Sequence, residues 1–211
     1  MDSDSLVSDT SGTNCLGAIE AERKTGSEPF CSQSSSIGFD LLSFWQWSSS
    51  DLIGNALRGV LAEYIVALAL GCGSGVRREW DSYDLTSPLG IKVEVKSAAY
   101  IQSWSQTELS SIQFGIQPTR SWNAEANSYS SARQRHADVY VFCIMTCRDK
   151  LNADPLNLDN WDFYCMSTAV LNSTVGPQKT IRLSRLLQLR PRKVSFSQLN
   201  DAIHQVTAGV L

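Results

Sequence analysis

"KVEVKSAAYIQSW", residues 92–104, is the stretch whose reading decides the fold. Val93 and Val95 predict a strand with one apolar face, and a period of two puts Glu94 and Lys96 together on the other. The small residues Ser97, Ala98 and Ala99 follow. An E-x-K triplet alone arises by chance about once in a few hundred residues at ordinary composition. Read alone, it is a surface ion pair worth little. Its neighbours decide what more it means.

Upstream, "VRREWDSYDL" (76–85) reads as a second strand, joined to the first by the turn-rich "TSPLG" (86–90). A connecting loop with an odd number of residues places Asp84 on the same face as Glu94, and an even one reverses it. Asp81 competes for the same place and is read as a turn or strand-edge residue. Two carboxylates on one face repel, and the remedies are a shared proton, a basic partner or a bound cation. An all-oxygen set suits Mg²⁺ or Mn²⁺. Asp84, Glu94 and the backbone carbonyl of Val95 are the candidate ligands. Lys96 is then placed to orient a water or to meet negative charge developing on a phosphoryl group.

Before these strands comes a helix. Ser50 or Asp51 is its predicted cap, Leu57, Val60, Leu61, Tyr64, Ile65 and Leu68 form an apolar stripe, and Gly71 and Gly73 end it. Val66 and Leu70 lie off the stripe, which predicts burial on more than one side. Glu63 stands out there, because a buried, uncompensated carboxylate costs several kcal/mol in order of magnitude, roughly. Residues 1–38 are rich in Ser, Thr, Gly and acids and predict a flexible extension. The folded domain is expected to span 39–211, beginning at the apolar cluster Phe39, Leu41, Leu42, Phe44, Trp45 and Trp47. Downstream, "ADVYVFCIMTC" and "DFYCMST" read as buried strands, "SIQFGI" as a weaker one, and "SFSQLNDAIHQV" as a helix capped by Ser197. The order predicts an α/β fold with a mixed central β-sheet flanked by helices.

"SYDL…IKVEVK" resembles the D…ExK signature of the PD-(D/E)XK nuclease superfamily, and the longer run from "FWQWSSSDL" to "YIQSW" is similar to a bacterial family placed within it. The likeness extends from about residue 39 to the end. It implies a restriction-endonuclease-like fold, with Asp84 and Glu94 as metal ligands, Lys96 as the catalytic lysine and Glu63 as a ligand acting directly or through water. The "PD" pair itself is missing, since Tyr83 precedes Asp84.

Charge is unevenly distributed. Residues 1–50 carry seven acids against Arg23 and Lys24, a balance of −5, while 51–211 carry fourteen acids and sixteen Lys or Arg, a balance of +2. Arg133 and Arg135, beside His136, are candidate phosphate contacts, as is the acid-free basic run from Lys179 to Lys193. Gln102, just past the ExK strand, is a candidate substrate contact. Trp45, Trp47, Trp80, Trp122 and Trp161 are read as packing residues rather than base-stacking platforms. The six cysteines lack paired spacing and the two histidines lie far from any cysteine pair, so reduced thiols and no zinc site are expected. No apolar run reaches the ~20 residues of a bilayer span, and no leader pattern opens the chain. A cytoplasmic Mg²⁺- or Mn²⁺-dependent nuclease acting on nucleic acid, most simply DNA, is the expectation, with a homodimer compatible with two-strand cleavage. Its rival is a catalytically inactive accessory module that keeps the fold and holds nucleic acid.

Overall fold

The computed structural model describes residues 19–78, 81–123 and 128–209. Chain order runs β1 (Pro29–Ser32), β2 (Ser35–Asp40), α1 (Leu41–Ser49), α2 (Asn55–Ala69), β3 (Leu85–Thr86) and β4 (Lys92–Ala99). It continues through β5 (Gln113–Gly115), β6 (Trp122–Asn123), β7 (Ser128–Tyr129), β8 (Val139–Met145) and β9 (Trp161–Ser167). The last elements are α3 (Thr168–Val175), β10 (Thr180–Arg182), α4 (Leu183–Gln188), β11 (Arg192–Val194) and α5 (Leu199–Ala208). None of the described helices is long and apolar enough to cross a membrane.

The central sheet has the strand order β11-β9-β8-β4-β3, and every neighbouring pair is antiparallel except β4 and β8, which run parallel. It is therefore a mixed sheet, as the element order predicts. Parallel strands are covered on both faces, and two apolar clusters supply the cover. Val93, Val95, Val139, Val141 and Phe163 pack with Ala62, Ile65 and Val66 of α2 and with Ala202 and Ile203 of α5. On the opposite face Phe142, Ile144 and Tyr164 pack with Phe114, Leu171, Ile181 and Leu186. Glu94 and Lys96 belong to this second face, in register with Tyr140 and Phe142.

Helix α2 ends as its glycines predict. Gly71 has φ +70°, and the Cys72 N–H reaches the Ala67 carbonyl at 2.9 Å, closing the turn expected of a left-handed C-terminal residue. Two details differ from expectation. The helix starts at Asn55 with Gly54 as its cap, while Asp51 ties the preceding turn by accepting the Gly54 N–H at 3.0 Å. Its buried side also runs through Ala62, Ile65 and Val66, leaving Val60, Tyr64 and Leu68 exposed. Small alanines allow the closest approach to the sheet, so the bulkiest stripe is not the one that packs.

The expected flexible extension is partly ordered. Residues 1–18 lie outside the described residues, but β1 and β2 form a hairpin within 29–40. Its two-residue turn, Gln33 and Ser34, takes φ of +50° and +65°, the left-handed pair that matches strand twist. Arg23 Nη1 donates to the Ser74 carbonyl at 2.7 Å, and Asp40 caps α1 by accepting the Ser43 N–H at 2.8 Å. Among the described residues the strand expected over 76–85 shrinks to Leu85–Thr86, with residues 81–84 in bends; Trp80 lies outside the described residues. At the C-terminal end a 3-10 turn, Phe196–Gln198, precedes α5, and its cap is Ser195 rather than Ser197.

Candidate active site

The register of β3 on β4 decides where Asp84 lies. Leu85 pairs with Val93 and Thr86 with Lys92, around an odd connection closed by the Ser87 N–H on the Ile91 carbonyl at 2.9 Å. Gly90 turns that loop at φ +81°, a conformation open to glycine. Continued by one residue, the register sets Asp84 opposite Glu94, and the Asp84 N–H donates to the Val93 carbonyl at 3.1 Å. There the backbone ladder stops. The Asp84 carboxylate takes its place, Oδ2 accepting the Val95 N–H at 2.7 Å. Within a strand, the N–H and C=O of one residue point to the same edge. The Val95 carbonyl thus faces the edge that carries Asp84.

Lys96 Nζ donates to Glu94 Oε1 at 2.5 Å, an ion pair whose side chains are 30 % and 18 % exposed. Asp84 and Glu94 both line a cleft of about 260 Å³. Burial is the main force on Asp84, and the Glu94 charge adds to it. The Val95 N–H and Lys96 oppose the shift, Glu63 reinforces it, and the carboxyl is pushed up to about 6. The Tyr140 phenol, in register with Glu94, is also pushed up by burial and then by that carboxylate.

Glu63 is close enough to act on Asp84 electrostatically but is held by another partner. Arg77 grips it with two nitrogens, Nη2 donating to Oε1 at 3.0 Å and Nε to Oε2. This bidentate pair meets the compensation that a carboxylate on α2 requires, a partner the sequence reading did not identify. Among the described residues no three His, Cys, Asp or Glu side chains gather in metal-holding geometry. The donors that do converge are Asp84, Glu94 and the Val95 carbonyl, all oxygen and short of a full shell without water. That chemistry fits a hard divalent cation, whose charge would offset the burial and the Glu94 carboxylate that raise Asp84.

The remaining predicted contacts go to different places. Gln102 is buried: its Oε1 accepts from Arg58 Nη1 at 3.3 Å and its Nε2 donates to the Ala99 carbonyl and Ser110 Oγ, each at 3.2 Å. It braces the loop after β4 instead of facing a substrate. Arg135 is also buried, donating to the Ile116 carbonyl at 2.8 Å, Asn172 Oδ1 at 2.7 Å and the Gly176 carbonyl at 2.9 Å. All of its bonds run inward, so it fastens loops rather than phosphates. Arg133 remains exposed.

The family profile of bacteriophage T4 endonuclease IV matches residues 39–185, most of the chain. The chain belongs to the bacteriophage T4 endonuclease IV family. Within that family match lie α1, α2, both strands of the Asp84–Glu94 pair and the whole of β8 and β9. No curated protein matches the chain. A solved bacterial homing endonuclease is similar at 20 % identity and a TM-score of 0.35, covering 74 % of this chain and 94 % of that one.

Proposed function

We propose that this endonuclease IV family member is a Mg²⁺- or Mn²⁺-dependent nuclease that hydrolyses phosphodiester bonds of DNA, with a site of the PD-(D/E)XK kind on a restriction-endonuclease-like sheet. The observation that carries this reading is that Asp84 and Glu94 line one solvent-open cleft, with Lys96 paired to Glu94. The family match supports a nuclease, and its name supplies the endonucleolytic mode.

Asp84, Glu94 and the Val95 carbonyl are the residues that would hold the cation. Bound there, it would supply Lewis-acid polarisation of the phosphate and a water of lowered pKa. Glu63, kept by Arg77, adds negative charge from outside this ligand set. Lys96 leaves its partnership with Glu94 to donate from Nζ to a non-bridging phosphate oxygen as negative charge builds there. Water adds to phosphorus, one P–O ester bond breaks, and the departing oxygen takes a proton, leaving a hydroxyl and a phosphate monoester.

A second reading draws on the two ion pairs, Lys96–Glu94 and Arg77–Glu63, which neutralise the carboxylates without any cation. It makes the protein an accessory module that holds nucleic acid without turnover. Purified protein with Mg²⁺ or Mn²⁺ and DNA or RNA substrates separates the two. Cation-dependent cleavage lost in Asp84→Ala and Lys96→Ala supports the nuclease, salt-sensitive binding without cleavage supports the module, and neither result leaves a structural partner.

A further inference from the structure

Residues 119–123 and 128–134 form an antiparallel arm beside the acidic pair. Trp122 pairs with Tyr129 and Asn123 with Ser128, the Ser130 N–H donates to the Ser121 carbonyl at 2.9 Å, and Thr119 and Gln134 exchange both backbone bonds at 3.0 Å. Its base is fixed. Arg135 grips three acceptors on neighbouring segments, and His136 Nε2 lies 3.0 Å from the Thr119 carbonyl.

The outer part of the arm is unlike its base. Trp122 and Tyr129, directly across the pair and so on one face, lie 4.9 Å apart edge to face and are 36 % and 62 % exposed. Both line the cleft that holds Asp84 and Glu94. Arg120 lines it too, exposed and without a hydrogen bond or ion pair among the described residues. Two aromatic rings left in water beside carboxylates do nothing for the core. Rings and a free guanidinium around one cleft match how nucleic-acid strands are held: bases stack on aromatic faces and arginines take the phosphates. At about 260 Å³ the cleft lies just under the range of about 300–1,000 Å³ usual for small-ligand pockets, a size for one nucleotide rather than a duplex.

We propose that the arm is a nucleotide clamp: Trp122 and Tyr129 take a nucleobase next to the scissile phosphate, and Arg120 takes a backbone phosphate. This rests on the nuclease reading for what the held strand undergoes, but not for whether it is held. Trp122 thus acts as a stacking residue, contrary to its reading as packing from sequence.

The test uses the full chain and DNA oligonucleotides carrying 2-aminopurine, whose fluorescence is quenched when it stacks on an aromatic ring. Binding is measured in EDTA and cleavage in Mg²⁺ or Mn²⁺. Trp122→Ala is expected to relieve the quench, weaken binding about tenfold and raise KM with a smaller change in kcat, while Trp122→Phe retains most of each. Arg120→Ala is expected to lower the slope of log affinity against log salt by about one. Thermal melts of the same variants identify any loss due to unfolding, and Trp122→Phe keeps the ring if the alanine variant melts early. Quenching and binding by Trp122→Ala and Arg120→Ala equal to the parent overturn the clamp, even if the parent cleaves. Quenched binding by a parent that never cleaves upholds the clamp and overturns the nuclease. A parent that binds no oligonucleotide overturns both.

Discussion

Asp84 Oδ2 accepts the Val95 N–H at 2.7 Å, so a side chain completes the rung where the backbone of β3 leaves the sheet. The same carboxylate is made to close a strand edge and to face Glu94. The first task wants any acceptor; the second adds to the burial that already pushes its pKa upward.

Asp84→Asn separates the two tasks. The amide oxygen still accepts from Val95, but the charge is gone. A carboxyl raised from 3.8 to about 6 binds more protons folded than unfolded, so its presence favours folding least above pH 6. The variant is expected to gain stability above that pH, at most about 3 kcal/mol, since one pKa unit is about 1.4 kcal/mol. The gain disappears below about pH 4. Melting temperature against pH checks this, and Mg²⁺ is expected to raise the melting temperature of the parent at neutral pH but not that of the variant.

Lys96→Ala is expected to reduce cleavage about 100- to 1,000-fold, the usual cost of losing one donor to a developing oxyanion. The melting temperature should change little, because an ion pair that still reaches solvent contributes about 1 kcal/mol or less. Cleavage rates and melts on one preparation test the pair of claims.

Arg77→Ala leaves the Glu63 charge uncompensated near Asp84. The Asp84 carboxyl then rises further, because the nearby negative charge disfavours its ionised form. The acid limb of the cleavage profile, expected near pH 6 in the parent, is expected to move to higher pH. A pH–rate profile at fixed Mg²⁺ reads the displacement.

Arg135→Met tests the anchoring of the arm. It strips inward bonds from Ile116, Asn172 and Gly176 and leaves their acceptors without a charged donor. About 2 kcal/mol of stability or more is expected to go, from the magnitude of charge-assisted hydrogen bonds. Arg133→Ala, on an exposed side chain, serves as the control: it should leave the denaturation midpoint within about 0.5 kcal/mol of the parent.

The strands of the central sheet and the Glu94–Lys96 pairing are legible in the chain because period two is strict, whereas the place of Asp84 waits on the parity of the β3–β4 connection, which the structure makes odd. Parity alone then decides which side chains meet. The hairpin at 29–40 is not legible, since Gln33 and Ser34 occupy positive φ with none of the Asn or Gly that marks such turns. The buried side of α2 is misread because Ala62 carries a weaker hydropathy signal than Tyr64 or Leu68 yet packs more closely. Gln102 and Arg135 look like surface contacts in sequence, where nothing reports that each has partners distant along the chain, Arg58 for Gln102 and Asn172 and Gly176 for Arg135. The aromatic arm leaves a trace, a tryptophan and a tyrosine flanking the polar "NAEANS", that points to a hairpin only once the pairing is known.

β4 leans on β8, a strand that runs parallel to it and follows the long excursion through the arm. A chain emerging from the ribosome can close the short Asp84–Glu94 hairpin early and set it against α2, but the neighbouring strand β8 joins only when residues near 145 are free. Synthesis therefore yields the acidic pair well before the sheet beside it is complete.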